Sequence, residues 1–337
     1  MRRVAAVLTF LMMVALPQVG SAEDFYRGKT LKIISGTSAG SGTDVYARIL
    51  QQFVSRHIPG NPTVVVQNMP AGGGLAAINH IFNVAAKDGT EIGLFNRSTV
   101  FSHLLGDSNA KFEPEKFNWI GTPASFADDA WVFMINAGLP YGTFADLLRA
   151  GAPINVGKGS TTNPFIQIIE TQFGVKMKGV NGYQNQELAL AFERREIDAI
   201  GNAYQSVVST MPDLLKRNLA RIVIQFGHAK RLDALKDIPT AQELAKDADQ
   251  LALIKLAEIS LTLGFPIAAP PEAPPANVAI LRKAFEETMR DPAYKAESEK
   301  QMLAYSPKFG DELQGDLISL ANTPAPIVAG YRQLFNQ

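Results

Sequence analysis

Two glycine-rich runs mark places where this chain could hold an anion: Ala39-Gly40-Ser41-Gly42-Thr43-Asp44 and Pro70-Ala71-Gly72-Gly73-Gly74. Each follows a β-branched run and precedes a stretch of helical periodicity, so each falls where a strand ends and a helix begins. At such a junction the first backbone N–H groups of the helix lack an intrahelical acceptor. The helix dipole is positive there, and missing side chains let a ligand reach the backbone. One carboxylate held between the two loops is the economical model, with a purely structural glycine turn as the alternative. A phosphate fits less well, because a P-loop ends in Gly-Lys-Ser/Thr and Gly42-Thr43-Asp44 puts an acid at the lysine. The dinucleotide fingerprint fails as well, since Val45 stands where its third glycine belongs. Asp44 pointing inward would repel an anion. As a first-turn acid it suits the helix dipole, and it can brace the loop by accepting backbone N–H bonds. Arg97 follows a third strand-like run, residues 91–95, and offers a guanidinium that could fork a second carboxylate at the mouth of a crevice. Paired with a surface acid, it would be an ordinary rim residue.

Catalytic chemistry finds little to work with. The absence of cysteine excludes a disulfide framework, an iron-sulfur cluster, a thiolate zinc site and a cysteine nucleophile. Four histidines (His57, His80, His103, His228) are scattered, none at helical i, i+4 spacing from another, which leaves no histidine-rich metal site. Ser160 has no histidine in its segment, and Asp128-Asp129 reads as an exposed turn. The expectation is a binding protein without catalytic activity, cofactor or metal.

The elements that must position these residues alternate strand, glycine loop and helix. Residues 31–35 (LKIIS), 63–66 (TVVV) and 91–95 (EIGLF) read as strands, each followed by a loop and a helical run such as Tyr46, Ile49, Leu50 and Phe53. Residues 111–121 read as a connection carrying a docked Trp119. A second set begins with a strand at 131–135 and continues with strands at 154–157, 176–180, 198–202 and 221–226, with helices between them. Such alternation predicts an α/β protein whose mainly parallel sheets are covered by helices on both faces. Residues 264–275 hold five of the twenty prolines and are not helical. Beyond them Pro275, Asp291-Pro292 and Thr323-Pro324 start helices that have apolar faces but no sheet of their own, so they should return to cover the first unit. The chain would then cross between its two parts near residues 125–130 and 227–235. Residues 23–127 and 230–337 would form one lobe, and residues 128–229 the other.

Length and charge bound the reading. At roughly 150 residues per domain, 337 residues suit two domains. With 32 basic and 32 acidic residues there is no electrostatic footprint for nucleic acid or an anionic membrane, so any anion is met locally. Residues 1–22 combine Arg2 and Arg3, an apolar run over 4–16 and the small residues Gly20-Ser21-Ala22, the pattern of a secretory signal peptide. These thirteen residues, all apolar but Thr9, span only about 20 Å as a helix, short of a bilayer core of roughly 30 Å. Cleavage would leave 30 basic against 32 acidic residues, a charge of −2, on a protein exported to a periplasm-like space.

Taken in order, AGSGTDVYARIL (39–50), VVVQNMPAGGG (64–74), KDGTEIGLF (87–95), INVGKGSTTNP (154–164), VNGYQNQELALAFERREIDAIG (180–201) and DIPTAQEL (237–244) resemble the periplasmic solute-binding proteins of tripartite tricarboxylate transporters, the Bug-type receptors. The resemblance spans nearly all of the chain after residue 22, with Ser41 standing where a glycine is usual. It implies a two-lobed type-II periplasmic binding fold that closes on a small organic carboxylate. It also implies a monomer that delivers this ligand to a transporter of two membrane subunits. The alternative is a sensory co-receptor docking on a histidine kinase. Carried onto this chain, the first-lobe grip falls on Gly40, Ser41, Gly42, Thr43 and Asp44 with Ala71, Gly72 and Gly73. The distal contacts fall on Ser160, Thr161, Thr162 and Asn163, with Asn202, Tyr204 and Gln205. Arg97 joins them on the physical argument above.

Overall fold

The computed structural model describes residues 25–126, 128–157, 163–180 and 185–335. Strands follow in the order β1 (Thr30–Ser35), β2 (Thr63–Asn68), β3 (Glu91–Leu94), β4 (Asn118–Thr122), β5 (Trp131–Asn136), β6 (Ile154–Gly157), β7 (Met177–Val180), β8 (Ala199–Ala203), β9 (Ala220–Phe226), β10 (Ile267–Ala269) and β11 (Lys308–Phe309). They form two sheets, one ordered β11-β4-β10-β3-β1-β2 and the other β7-β6-β8-β5-β9. In the first, β2, β1 and β3 are parallel and β10 runs antiparallel between β3 and β4. In the second, β7, β6 and β8 are parallel, while β5 is antiparallel to both β8 and β9. The sheets are therefore mixed, each with an antiparallel strand inserted in a parallel set.

Helices cover both sheets. On the first are α1 (Gly42–Val54), α2 (Leu75–Asn83) and α3 (Arg97–Leu104); in the second half-chain are α4 (Phe144–Leu148), α5 (Pro164–Thr171), α6 (Asn185–Glu193), α7 (Tyr204–Thr210) and α8 (Pro212–Lys216). The chain then continues through α9 (Ala248–Leu263), α10 (Pro275–Arg290), α11 (Pro292–Lys300), α12 (Gly310–Ala321) and α13 (Ala325–Gln333). The C-terminal helices do return to the first sheet. Helix α10 packs on β4 and α1, α11 on α1, and α12 on β4. Polar ties reinforce this: Arg282 Nε donates to the Trp119 carbonyl at 2.9 Å, and Arg332 Nε to that of Leu104 at 2.8 Å.

Two details differ from the sequence expectation. Residues 118–122 are a strand, not a connection, with Trp119 wholly buried and its indole N–H bonded to the Pro114 carbonyl at 2.7 Å. The return between sheets also comes later than 227–235. Ala241 N–H donates to the Gln225 carbonyl, and Gln225 N–H to that of Pro239, so residues through 241 stay against β9. No helix of the described residues is long and apolar enough to cross a membrane.

Candidate functional site

Parallel pairing levels the ends of three adjacent strands: Ser35 lies opposite Asn68 of β2 on one side and Leu94 of β3 on the other. The two glycine loops and Arg97 therefore leave the sheet side by side at its carboxyl edge, where open α/β sheets hold their ligands. Contacts lock the three together. Asn68 Nδ2 donates to the Thr37 carbonyl, Thr99 Oγ1 donates to the Gly73 carbonyl, and a Cβ on Gly74 would lie 2.7 Å from the Gly36 oxygen.

In the first loop Ser41 is the N-cap of α1, its hydroxyl accepting from Asp44 N–H. The Asp44 carboxylate is buried and turned back on the loop. It accepts from Gly40 N–H at 2.8 Å, Arg48 Nε at 2.7 Å and Asn68 Nδ2 at 2.6 Å. Burial alone would raise its pKa, but the hydrogen bonds from Arg48, Asn68 and Gly40 outweigh it and hold the carboxyl below its ordinary value. With Asp44 so engaged, the free donors of the loop are Gly42 and Thr43 N–H, which have no acceptor among the described residues. A Cβ on Gly40 or Gly42 would meet nothing within 4 Å, so the approach to them is open. In the second loop Gly72 and Gly73 adopt φ of 63° and 65°, a left-handed conformation that glycine takes at no steric cost. Their N–H groups are likewise without acceptors among the described residues.

Arg97 is the first residue of α3, whose N-cap Asn96 accepts from Ser98 N–H at 3.0 Å. Its guanidinium lies 5.4 Å from the Phe126 ring centroid and makes no ion pair or hydrogen bond among the described residues. Desolvation pulls its pKa below the ordinary arginine value. A cation at a helix N-terminus also opposes the dipole. Both costs would be relieved by an anion paired with it, and no acidic side chain among the described residues makes that pair.

Arg97 stands between two cavities that the lobes share. One, of ≈ 790 Å³, is flanked by Phe126, Asp128, Asp129, Trp131 and Gln205; the other, of ≈ 470 Å³, by Trp131, Asn163, Phe165, Asn202 and Leu261. The structure thus brings Arg97 together with Asn163, Asn202 and Gln205 from the second half-chain. Asn163 caps α5 through its side-chain oxygen, and the Asn202 oxygen accepts from Ala203 N–H, which leaves both amide NH₂ groups without acceptors among the described residues. Tyr204 packs into the core behind β5 and lines neither cavity. Residues Gly40 to Asp44 and Ala71 to Gly73 stand on the same sheet edge but line neither of these two cavities. Ser160, Thr161 and Thr162 lie outside the described residues.

Some participants carry no sequence signal. Asp129 is buried rather than part of an exposed turn. Its carboxylate accepts from Ala130 N–H at 2.8 Å and Gln205 N–H at 3.0 Å, and burial raises its pKa. Leu261 of α9 lines both cavities from the far side of the sequence.

No family model matches the chain, and no curated relative matches it. Solved structures do. A TctC solute-binding protein from Polaromonas, determined without ligand, is 20% identical with a TM-score of 0.70, covering 92% of this chain and 99% of that one. The chain has the two-lobed fold of the TctC- and Bug-type periplasmic solute-binding proteins. The periplasmic binding protein BugD is 16% identical with a TM-score of 0.51, covering 92% of this chain and 98% of its own. An R. palustris protein with adipate is 15% identical with a TM-score of 0.52, covering 90% and 97%. The type-II binding fold expected from the sequence resemblance is therefore present, with mixed sheets in both lobes.

Proposed function

We propose that this protein is an extracytoplasmic receptor of the Bug type that captures a small organic carboxylate between its lobes and delivers it to a tripartite tricarboxylate-type transporter of two membrane subunits. The observation that carries the reading is Arg97, a desolvated cation without an acidic partner among the described residues, set between the lobes at the carboxyl edge of the first sheet. The amides of Asn163 and Asn202 add uncharged donors in the cavity that Arg97 lines, and the free N–H groups of Gly42, Thr43, Gly72 and Gly73 stand outside it on the same sheet edge. A micromolar complex needs about 8 kcal/mol net, and hydrogen bonds to a charged group contribute roughly 1.5–3 kcal/mol each. Three to five such donors are of the right order, with no catalytic group required. The signal-peptide pattern of residues 1–22 and the periplasmic proteins sharing the fold support export to the periplasm. Within this reading the lobes are assigned as 23–127 with 230–337, and 128–229, with residues 230–241 resting against the second sheet.

Titration calorimetry with a panel of mono-, di- and tricarboxylates tests the proposal. At least one class should bind, and Arg97→Gln should weaken it by about tenfold or more, the loss of one charge-assisted hydrogen bond. Absence of binding to every carboxylate would refute the receptor reading.

A further inference from the structure

Resting on the receptor reading, the surroundings of Arg97 narrow the class of solute. In the ≈ 470 Å³ cavity Arg97 is the one charged residue among the described lining; the remaining walls are apolar, aromatic or uncharged. A second carboxylate placed there would lose its hydration with no cation among the described lining residues to face it. On the other side of Arg97 the ≈ 790 Å³ cavity carries Asp128, Asp129 and Glu299. A second carboxylate turned that way would meet like charge. Both directions open to a ligand anchored on Arg97 therefore disfavour a second anionic group.

The apolar wall has a particular character. The Trp131 and Phe165 ring centroids lie 5.2 Å apart, and both rings are backed by Phe226 at 5.7 and 4.9 Å. Trp131 lies directly on the backbone of β8, where a Cβ on Gly201 would come within 2.0 Å of the indole. Trp131 and Phe165 are 6% and 2% exposed, so they give the cavity only a narrow, fixed aromatic edge; such an edge favours a rigid ring, which loses little rotational freedom on binding, over a flexible chain that must be frozen.

We infer that the solute is a monocarboxylate with an aryl body, its carboxylate paired with Arg97 and its ring packed on Trp131 and Phe165. The test follows binding of benzoate, phenylacetate, benzamide, hexanoate, adipate and citrate by calorimetry and by tryptophan emission. The chain has two tryptophans, and Trp119 is buried in the first lobe's core, so a solute-dependent change reports Trp131. The aryl acids should bind at least tenfold tighter than hexanoate, adipate or citrate, and about a hundredfold tighter than neutral benzamide. In Arg97→Gln the preference for benzoate over benzamide should fall below tenfold. Trp131→Phe keeps an aromatic wall and should abolish the emission change while calorimetry still detects benzoate. Tighter binding of adipate or citrate than of either aryl acid would overturn this inference and leave the receptor reading standing. Aryl-acid binding without any emission change would overturn the placement on Trp131, and failure of every carboxylate to bind would overturn both.

Discussion

Removing the Asp44 carboxylate separates two roles that the sequence alone leaves open, gripping a solute and bracing the loop that does. The side chain is wholly buried and receives three donors, from Gly40 N–H, Arg48 and Asn68. Hydrogen bonds to a charged group contribute about 1.5–3 kcal/mol each. The Arg48 pair counts for at most about 1 kcal/mol, because the arginine side chain is 46% exposed and solvent screens it. Asp44→Ala should therefore cost about 2–4 kcal/mol of stability, mostly through the Asn68 bond, because Gly40 is exposed and water can take its N–H. With a urea slope of about 3 kcal/mol/M, the midpoint would fall by about 0.7–1.3 M. The hydrogen bonds hold the folded-state pKa below the unfolded value, so this contribution is present above the unfolded pKa of about 3.9 and is lost as pH falls through the folded one. Urea titrations of both proteins, at pH 7 and again at pH 3, measure it, and the gap between them should narrow at the lower pH. A variant that unfolds at the parental midpoint yet no longer binds the solute would show that Asp44 acts on the ligand and refute the bracing argument.

Burial raises the Glu258 carboxyl to about 7, against the hydrogen bonds it accepts from Gly227 N–H and Gln242. The folded state then holds this proton more tightly than the unfolded chain, so stability should fall by about 3 kcal/mol as pH rises from 4.5 to 7. Glu258→Gln should flatten that part of the stability–pH curve. Gly264 has φ 58° and ψ −114°, and a Cβ there would sit 1.6 Å from the Ala124 oxygen. Gly264→Ala is expected to lower thermal stability by more than about 3 kcal/mol, read by calorimetric scanning. Gly201→Ala should push Trp131 off β8 at a cost of about 1–3 kcal/mol, with a red shift of tryptophan emission.

The sequence showed most where local pattern and tertiary role coincide. Strands such as β1, β6 and β9 are short runs rich in β-branched residues with glycine or proline close by, and they stand in the fold where that pattern puts them. Strand β10 is three residues, Ile267–Ala269, between Pro266 and Pro270, and nothing local marks it as a strand. Its pairing is imposed by β3 and β4 on either side. Asn118–Thr122 has the same origin, since NWIGT lacks alternation and becomes a strand because β10 and β11 flank it. The glycine loops and the helix starts after them were legible because a strand–glycine–helix junction is a local pattern. The cavity wall was not, because it joins Trp131, Phe165 and Leu261, which only the folded arrangement of β5, α5 and α9 brings together. Asp129 was misread because an Asp-Asp pair in a turn gives no sign that its second member will hold the start of α7.

Helix α9 fixes how a solute could draw the lobes together. It packs on α3, α12 and α13 and also on α5, donates from Gln250 to the Gln172 carbonyl, and accepts from Gly227 through Glu258. Arg97 leads α3, which rests on this helix, so the guanidinium keeps its relation to Leu261 whatever the second sheet does. A ligand shifts a conformational equilibrium only by its difference in affinity for the two states. Bonds from Arg97 are available to a solute before closure as well as after it. If the proposed receptor closes on its solute, those from Asn202, on the second sheet, would be gained as the lobes approach and supply the difference. Arg97→Gln should therefore weaken binding yet leave the contraction at saturating solute intact in small-angle scattering. Asn202→Ala should bind with a smaller contraction. The reverse pattern, contraction lost with Arg97→Gln and kept with Asn202→Ala, would show that the cation itself drives closure and that α3 moves against α9.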